Sequence, residues 1–366
     1  MGAPAYFRDD YFAARALFRE SGARAGLAVE SHRHPVPGPR GQELTTDTVL
    51  IGRARAPRLM VLISGTHGVE TLCGSACQSG FLAEGRWREL GDDVAVLLVH
   101  ALNCWGAAHL RRNNEDNVDL ARNFLDFDAP LPENGAYEAL HDALCCPQLR
   151  GPERDRADAV LAGHLQEHGI YRHISAVMGG QYRHADGFCF GGHGATWSRN
   201  LLDSLLQPFR RTAEEVCVVE YHSGLGPYGY GTAVALQTGE ELERVRSIYG
   251  RWVDAPNEQA PAEDEEFFRA HGHPTEGLRD LFSGSGLASI VLEFGTYPPM
   301  ESLPVLFEDH WLAHHGDAES VEGRRIKQRL LEMHHPADPD WRQAVWDRSV
   351  QVIEQTLRAL AGPGSG

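Results

Sequence analysis

The sequence predicts an α/β fold, a three-layer α/β/α sandwich around a mixed, mostly parallel sheet. Two observations predict it. Three apolar runs, residues 59–64, 216–220 and 288–292, each pass straight into a polar turn, at 65–70, 221–224 and 293–295. A helix-patterned stretch at 72–82 separates the first run from a further apolar run at 94–100, which is the spacing of a parallel βαβ unit.

The elements follow in order. An amphipathic helix is expected at 11–21, then a connection rich in proline and glycine, Pro35-Val36-Pro37-Gly38-Pro39, before the core strands. Residues 103–124 are the most polar part of the chain, rich in Asn and Arg. A long insertion at about 131–206 mixes helix-like and loop-like parts, including Gly179-Gly180-Gln181-Tyr182 and Phe190-Gly191-Gly192-His193-Gly194. After the last strand the pattern is helical over 321–333 and 341–360, and the chain ends in a glycine-rich tail expected to be disordered. We read 1–366 as one catalytic domain with a helical C-terminal segment at about 321–360.

Composition narrows the function. The net charge of −17 disfavours nucleic acid and anionic membrane surfaces, both of which require a basic face. No apolar run approaches the roughly 18 residues that cross a bilayer, and the first ten residues lack the basic and apolar regions of a secretory signal. Seven cysteines without regular spacing, Cys145 and Cys146 among them, suit buried thiols in a reducing cytoplasm better than a disulfide framework.

The turns after the three strands carry the chemistry. They deliver His67-x-x-Glu70, His222 and Glu293, and in open α/β sheets the functional crevice lies at the carboxyl ends of the strands. With 19 histidines and 51 acidic residues, His-x-x-Glu also arises by chance, at His164 to Glu167 in a helical stretch and at His273 to Glu276 in a broken loop. Only His67 and Glu70 follow a strand. Two imidazoles and a carboxylate leave Zn²⁺ an open position for water, so His67, Glu70 and His222 are the expected ligands of one Zn²⁺ per chain. Glu293, on its own strand, is the candidate general base. The insertion histidines His164, His168, His173, His184 and His193 have spacings that fit no compact ligand set, and no second metal is expected from them.

Taken in order, His67-x-x-Glu70, Asp119-Leu120-Ala121-Arg122-Asn123-Phe124, His222-Ser223-Gly224 and Glu293-Phe294-Gly295-Thr296 resemble the zinc carboxypeptidase superfamily of the carboxypeptidase A type, which includes the aspartoacylase and succinylglutamate desuccinylase deacylases. Within it the chain is most similar, over nearly its whole length, to a bacterial branch catalogued as a domain of unknown function. Further segments carry this likeness: residues 112–120, Gly180-Gln181-Tyr182 and residues 222–229. The resemblance implies that Glu293 is the general base and acid, that Asp119 holds a ligating imidazole, and that Arg112, or else Arg111, stabilises the oxyanion. It also implies that Arg122 grips a substrate carboxylate. The family usually has Asn before that Arg; here it is Ala121, so either Asn123 or another residue compensates, or the substrate is not a simple peptide C-terminus. Of Tyr228, Tyr230 and Tyr297, Tyr228 is taken as the candidate to contact substrate. The expected activity is amide hydrolysis of a small peptide or amino-acid conjugate. The alternatives are an N-acyl amino acid deacylase and a zinc-binding protein without turnover.

Overall fold

The computed structural model describes residues 3–259 and 269–361; the expected disordered tail at 362–366 lies outside them. Seven strands form one sheet: β1 Glu30–Arg33, β2 Thr45–Ile51, β3 Arg58–Ser64, β4 Val94–His100, β5 Glu215–Gly224, β6 Gly231–Val234 and β7 Gly286–Gly295. Their order is β1-β2-β4-β3-β5-β7-β6. The inner four, β4-β3-β5-β7, are parallel to one another, while β2 pairs antiparallel with β4 and β6 with β7, so the sheet is mixed and most of its strands share one direction.

Alternation along the inner strands makes two cores. Met60 and Leu62, Cys217, Val219 and Tyr221, and Ile290, Leu292 and Phe294 face one way. Helices α1 (Tyr11–Arg24) and α2 (Thr71–Glu84) supply Phe18, Cys77 and Phe81 to that side. Leu59, Val61, Ile63, Val216 and Val218 face the other way, onto Leu120, Phe124, Leu202 and Leu206. The intervening helices are α3 Cys104–His109, α4 Gly135–Leu144, α5 Pro152–Met178 and α6 Trp197–Leu206. Those that follow are α7 Gly239–Tyr249, α8 Pro256–Gln259, α9 Pro274–Leu281, α10 Pro299–His315, α11 Val321–His334 and α12 Pro339–Ala361. Strand period 2 with apolar residues on both faces is what a sheet covered on both sides requires.

The βαβ unit expected at 59–100 is β3-α2-β4, and β3 and β4 are parallel neighbours. Strand β2 has a half-polar sequence, yet it lies inside the sheet. Its Asp47 is fully buried because Arg15 and Arg19 of α1 reach it at 2.8 and 3.3 Å. A buried carboxylate is tolerated when it is paired and hydrogen-bonded, and polarity along a strand hides that from pattern reading. The second His-x-x-Glu, His164 to Glu167, lies in helix α5 as expected. The third was read as a broken loop; it opens helix α9 instead, with Pro274 in the first turn and His273 as its cap. No helix of the described residues is long and apolar enough to cross a membrane.

Candidate metal centre

The turn after β3 can form only with glycine at its start. Gly65 has φ +78°, and a Cβ there would stand 2.5 Å from Thr71 Oγ1. His67 follows, and the turn docks when the Gly68 and Val69 amides donate to the Arg112 and Arg111 carbonyls at 3.1 and 2.9 Å. Glu70 closes a short 3₁₀ turn, directly ahead of α2. The sequence reading ended the other two strands at 220 and 292, but β5 and β7 run on to Gly224 and Gly295. Tyr221, Leu292 and Phe294 remain in the first core, so strand pairing continues while the opposite face turns polar. His222 and Glu293 lie on that face directly across from each other in the β5/β7 register.

The two carboxylate oxygens of Glu70 separate the two histidines. His67 Nδ1 is 2.9 Å from Glu70 Oε1, and His222 Nδ1 is 3.0 Å from Oε2. The rings meet edge to face, with centroids 4.8 Å apart. Each Nε2 points outward to its own carboxylate, His67 to Asp119 at 3.1 Å and His222 to Glu220 at 2.7 Å. A carboxylate behind each ring fixes its orientation and raises its basicity, leaving both Nδ1 atoms on one point. Asp119 is fully buried and also accepts from the Ala121 amide and from Arg112. Arg112 donates to Glu70 Oε1 at 3.2 Å as well.

These residues fit a metal ion. One atom from each of His67, Glu70 and His222 lies within 4.8 Å of the others, and the closest pairs approach the roughly 3.3 Å between ligands of tetrahedral zinc. Charge supports the same fit. Glu70, Asp119 and Glu220 are buried together around the two imidazoles, with the Arg112 guanidinium on Glu70 and Asp119 and Arg122 acting on Asp119, and a dication held by neutral imidazoles would balance these carboxylates. Burial alone would raise the Glu70 carboxyl, but the His67 and His222 charges hold it well below the usual carboxylate range. Burial likewise opposes ionisation of Glu220, yet the His273 and His222 charges bring it down to about 2.

Glu293 behaves differently. Burial and the neighbouring Glu70 charge push its carboxyl up to about 7, although the Leu225 amide donates to its Oε1 at 3.0 Å. The part of the side chain still open to solvent works against that rise.

Arg111 turns away and pairs with buried Asp309 at 3.1 Å, leaving Arg112 as the arginine beside His67 and Glu70. Arg122 uses Nε and Nη2 on the Met178 carbonyl and Nη1 on the Ala121 carbonyl, three of its five N–H groups. Asn123 is a correction. It is fully buried, its Nδ2 donates to Gly191 and Gly194 carbonyls and its Oδ1 accepts from the Thr196 amide and hydroxyl, so it ties the glycine-rich loop and has nothing left for substrate. Tyr228 is exposed, and its hydroxyl donates to Asp338 at 3.0 Å.

The sequence reading missed Glu220 and His273, which flank one another behind His222 at 3.8 Å. Glu220 precedes His222 by two positions on one strand, so strand period 2 was the signal available for it. His334 lies at the end of α11. It is buried beside Gly224, with its Nδ1 donating to the Leu330 carbonyl at 2.9 Å.

The family model described as "Protein of unknown function (DUF2817)" matches residues 7–348. The chain belongs to that family. No curated protein matches this member closely enough to be counted. Among solved structures, it is similar to the carboxypeptidase A of Helicoverpa armigera at 13% identity, over 91% of this chain and 75% of that one, with a TM-score of 0.45. The aspartoacylase family protein of Mesorhizobium loti is 12% identical over 78% and 66%, with a TM-score of 0.36. The murein-tripeptide amidase MpaA of Escherichia coli O157 is 16% identical over 85% and 94%, with a TM-score of 0.35.

Proposed function

We propose that this member of the family is a zinc-dependent amide hydrolase of the carboxypeptidase-like kind, acting in the cytoplasm on a small peptide or amino-acid conjugate. The observation that carries the proposal is the paired arrangement around Glu70. Both imidazoles turn Nδ1 inward, each is held from behind by its own carboxylate, and an unliganded acid, Glu293, stands across the sheet ladder from His222.

Zinc held by His67, Glu70 and His222 would supply Lewis acidity, making water a nucleophile near neutral pH and polarising the scissile carbonyl. Glu293 takes the proton from the attacking water and passes it to the leaving amine, a role suited to a carboxyl raised by burial. Arg112 donates to charge developing on the carbonyl oxygen; a positioned donor of that kind is worth about 3 to 4 kcal/mol in the transition state. Arg122 has two N–H groups beyond those on Met178 and Ala121, and these would take a substrate carboxylate as a planar fork. Tyr228 would have to leave Asp338 to close over a bound substrate.

Release of an acyl group from an N-acyl amino acid is the second reading, and Arg122 favours it. With Ala121 in place of the usual Asn and most of the guanidinium committed to backbone, the grip on a peptide C-terminus is weaker than in a carboxypeptidase. The zinc-loaded chain incubated with short free-C-terminus peptides and N-acyl amino acids, followed by mass spectrometry, separates the two. Glu293→Gln is the control, expected to lower turnover about 10²- to 10⁴-fold while zinc stays bound. Loss of a C-terminal residue supports the first reading, release of acyl groups the second, and turnover of neither class above the control rejects both.

A further inference from the structure

We propose that the chain binds a second divalent transition-metal ion, of the zinc class, between His141, His184 and Asp186. One ligand atom from each of the three lies within 4.8 Å of the other two. They come from separate elements, His141 from α4 and the others from the loop that follows Gly180. Two imidazole nitrogens and a carboxylate oxygen suit Zn²⁺ and its first-row neighbours rather than Mg²⁺ or Ca²⁺.

The loop that carries His184 and Asp186 is built in advance. Gln181 Oε1 accepts from the Arg183 and His184 amides, and its Nε2 donates to the His184 carbonyl at 2.7 Å. Asn117 Nδ2 donates to the Ala185 and Gly187 carbonyls. Glu138, one turn ahead of His141 on α4, lies 3.0 Å from His184 Nε2. That bond leaves His184 Nδ1 to coordinate and places a carboxylate behind the ring, as around the first centre. The His141 and His184 rings stack with centroids 3.8 Å apart and planes 19° from parallel.

Ligands of a tetrahedral ion stand about 3.3 Å apart, so closure requires shifts of about 1 Å and rotation out of the ring stack. His141 and His184 are half-buried and Asp186 is exposed, so these side chains have room to move. A further donor is close: Cys145 Sγ, at the residue that caps the end of α4, is 3.7 Å from His141 Nδ1 and 3.6 Å from His310 Nε2 of α10. At its other end the same loop braces the first centre, because the Asp119 amide donates to the Phe190 carbonyl at 2.7 Å. An ion here ties α4 to the segment that supports Asp119.

Zinc content measured by mass spectrometry, after metal-free chain is loaded with Zn²⁺ and dialysed, tests this. Wild type is expected to hold two equivalents, His67→Ala/His222→Ala one, and His141→Ala/His184→Ala one. Asp186→Asn, at an exposed position that does not threaten folding, is expected to weaken the second equivalent at least tenfold in a Co²⁺ titration followed by visible absorption. One equivalent in wild type that vanishes with His67→Ala/His222→Ala overturns the second site and leaves the first standing. Two equivalents that both survive His141→Ala/His184→Ala and Asp186→Asn also overturn it.

Discussion

Glu220 is the residue whose removal best separates positioning from chemistry. It touches no predicted substrate position but holds His222 Nε2 at 2.7 Å. Glu220→Gln is expected to weaken zinc binding about 10- to 100-fold while turnover at saturating zinc stays near wild type, as read from kcat against zinc concentration. Glu293 sets the pH dependence. Its carboxyl must be ionised to act as a base, so kcat/KM is expected to fall as pH drops through an acid limb. Burial and Glu70 place that limb near 7, and a bound dication draws it lower, so a limb well above pH 7 would exclude Glu293 as the base. At this scale the sequence was informative where a strand ended on a ligand. It was silent on Glu220 and His273, which lie behind a ligand, and it misjudged Asn123. A hydrogen-bonding side chain beside an arginine reads as a substrate contact until its four partners are seen to be backbone and hydroxyl groups of one loop.

Helix α3 and the turn at 67–70 approach so closely that one glycine decides their fit. A Cβ on Gly68 would stand 2.1 Å from the Gly106 carbonyl carbon, a backbone atom that cannot swing aside. Gly68→Ala is therefore expected to cost on the order of 1–3 kcal/mol in urea unfolding, as overpacking does, and to reduce zinc affinity because the displaced turn carries both His67 and Glu70. The inner strands were legible as continuous apolar runs, and α1, α2, α11 and α12 because an apolar period of 3.6 repeats over enough residues. Strands β5 and β7 were read short, since a strand that packs on one face and builds a site on the other loses its apolar signal on alternate residues. The Asn-rich segment at 103–124 is the most polar part of the chain. Its asparagines fold it onto itself, Asn114 Oδ1 accepting from the Asp116 and Val118 amides and Asn113 Nδ2 donating to Asn117.

Glu70, Asp119 and Glu220 gather around His67 and His222 at the sheet's carboxyl end, and zinc is expected to stabilise the native chain by binding it in preference to the unfolded one. Free zinc at about 1,000 times its Kd adds about 4 kcal/mol. Melting temperature is therefore expected to fall in excess chelator and to climb with zinc concentration; a melting curve indifferent to both would mean that the carboxylate cluster is balanced without metal. The mixed sheet and its two covering layers were predictable from the order of strands and helices. The packing of the insertion was not, because Tyr137, Leu140 and Phe188 share a core with Leu303, Leu306 and Leu330, far along the chain.

The strand order also bears on how the chain is made. The pairing of β3 with β5 joins Arg58 to Glu215 and Ser64 to Tyr221, and β7 adds to β5 only after residue 286. A nascent chain on the ribosome thus adds the whole of residues 71–221 after Glu70 before His222 emerges. During that interval β3 has β4 on one side and no β5 on the other, so one of its edges stands open to pairing with another chain until β5 is made.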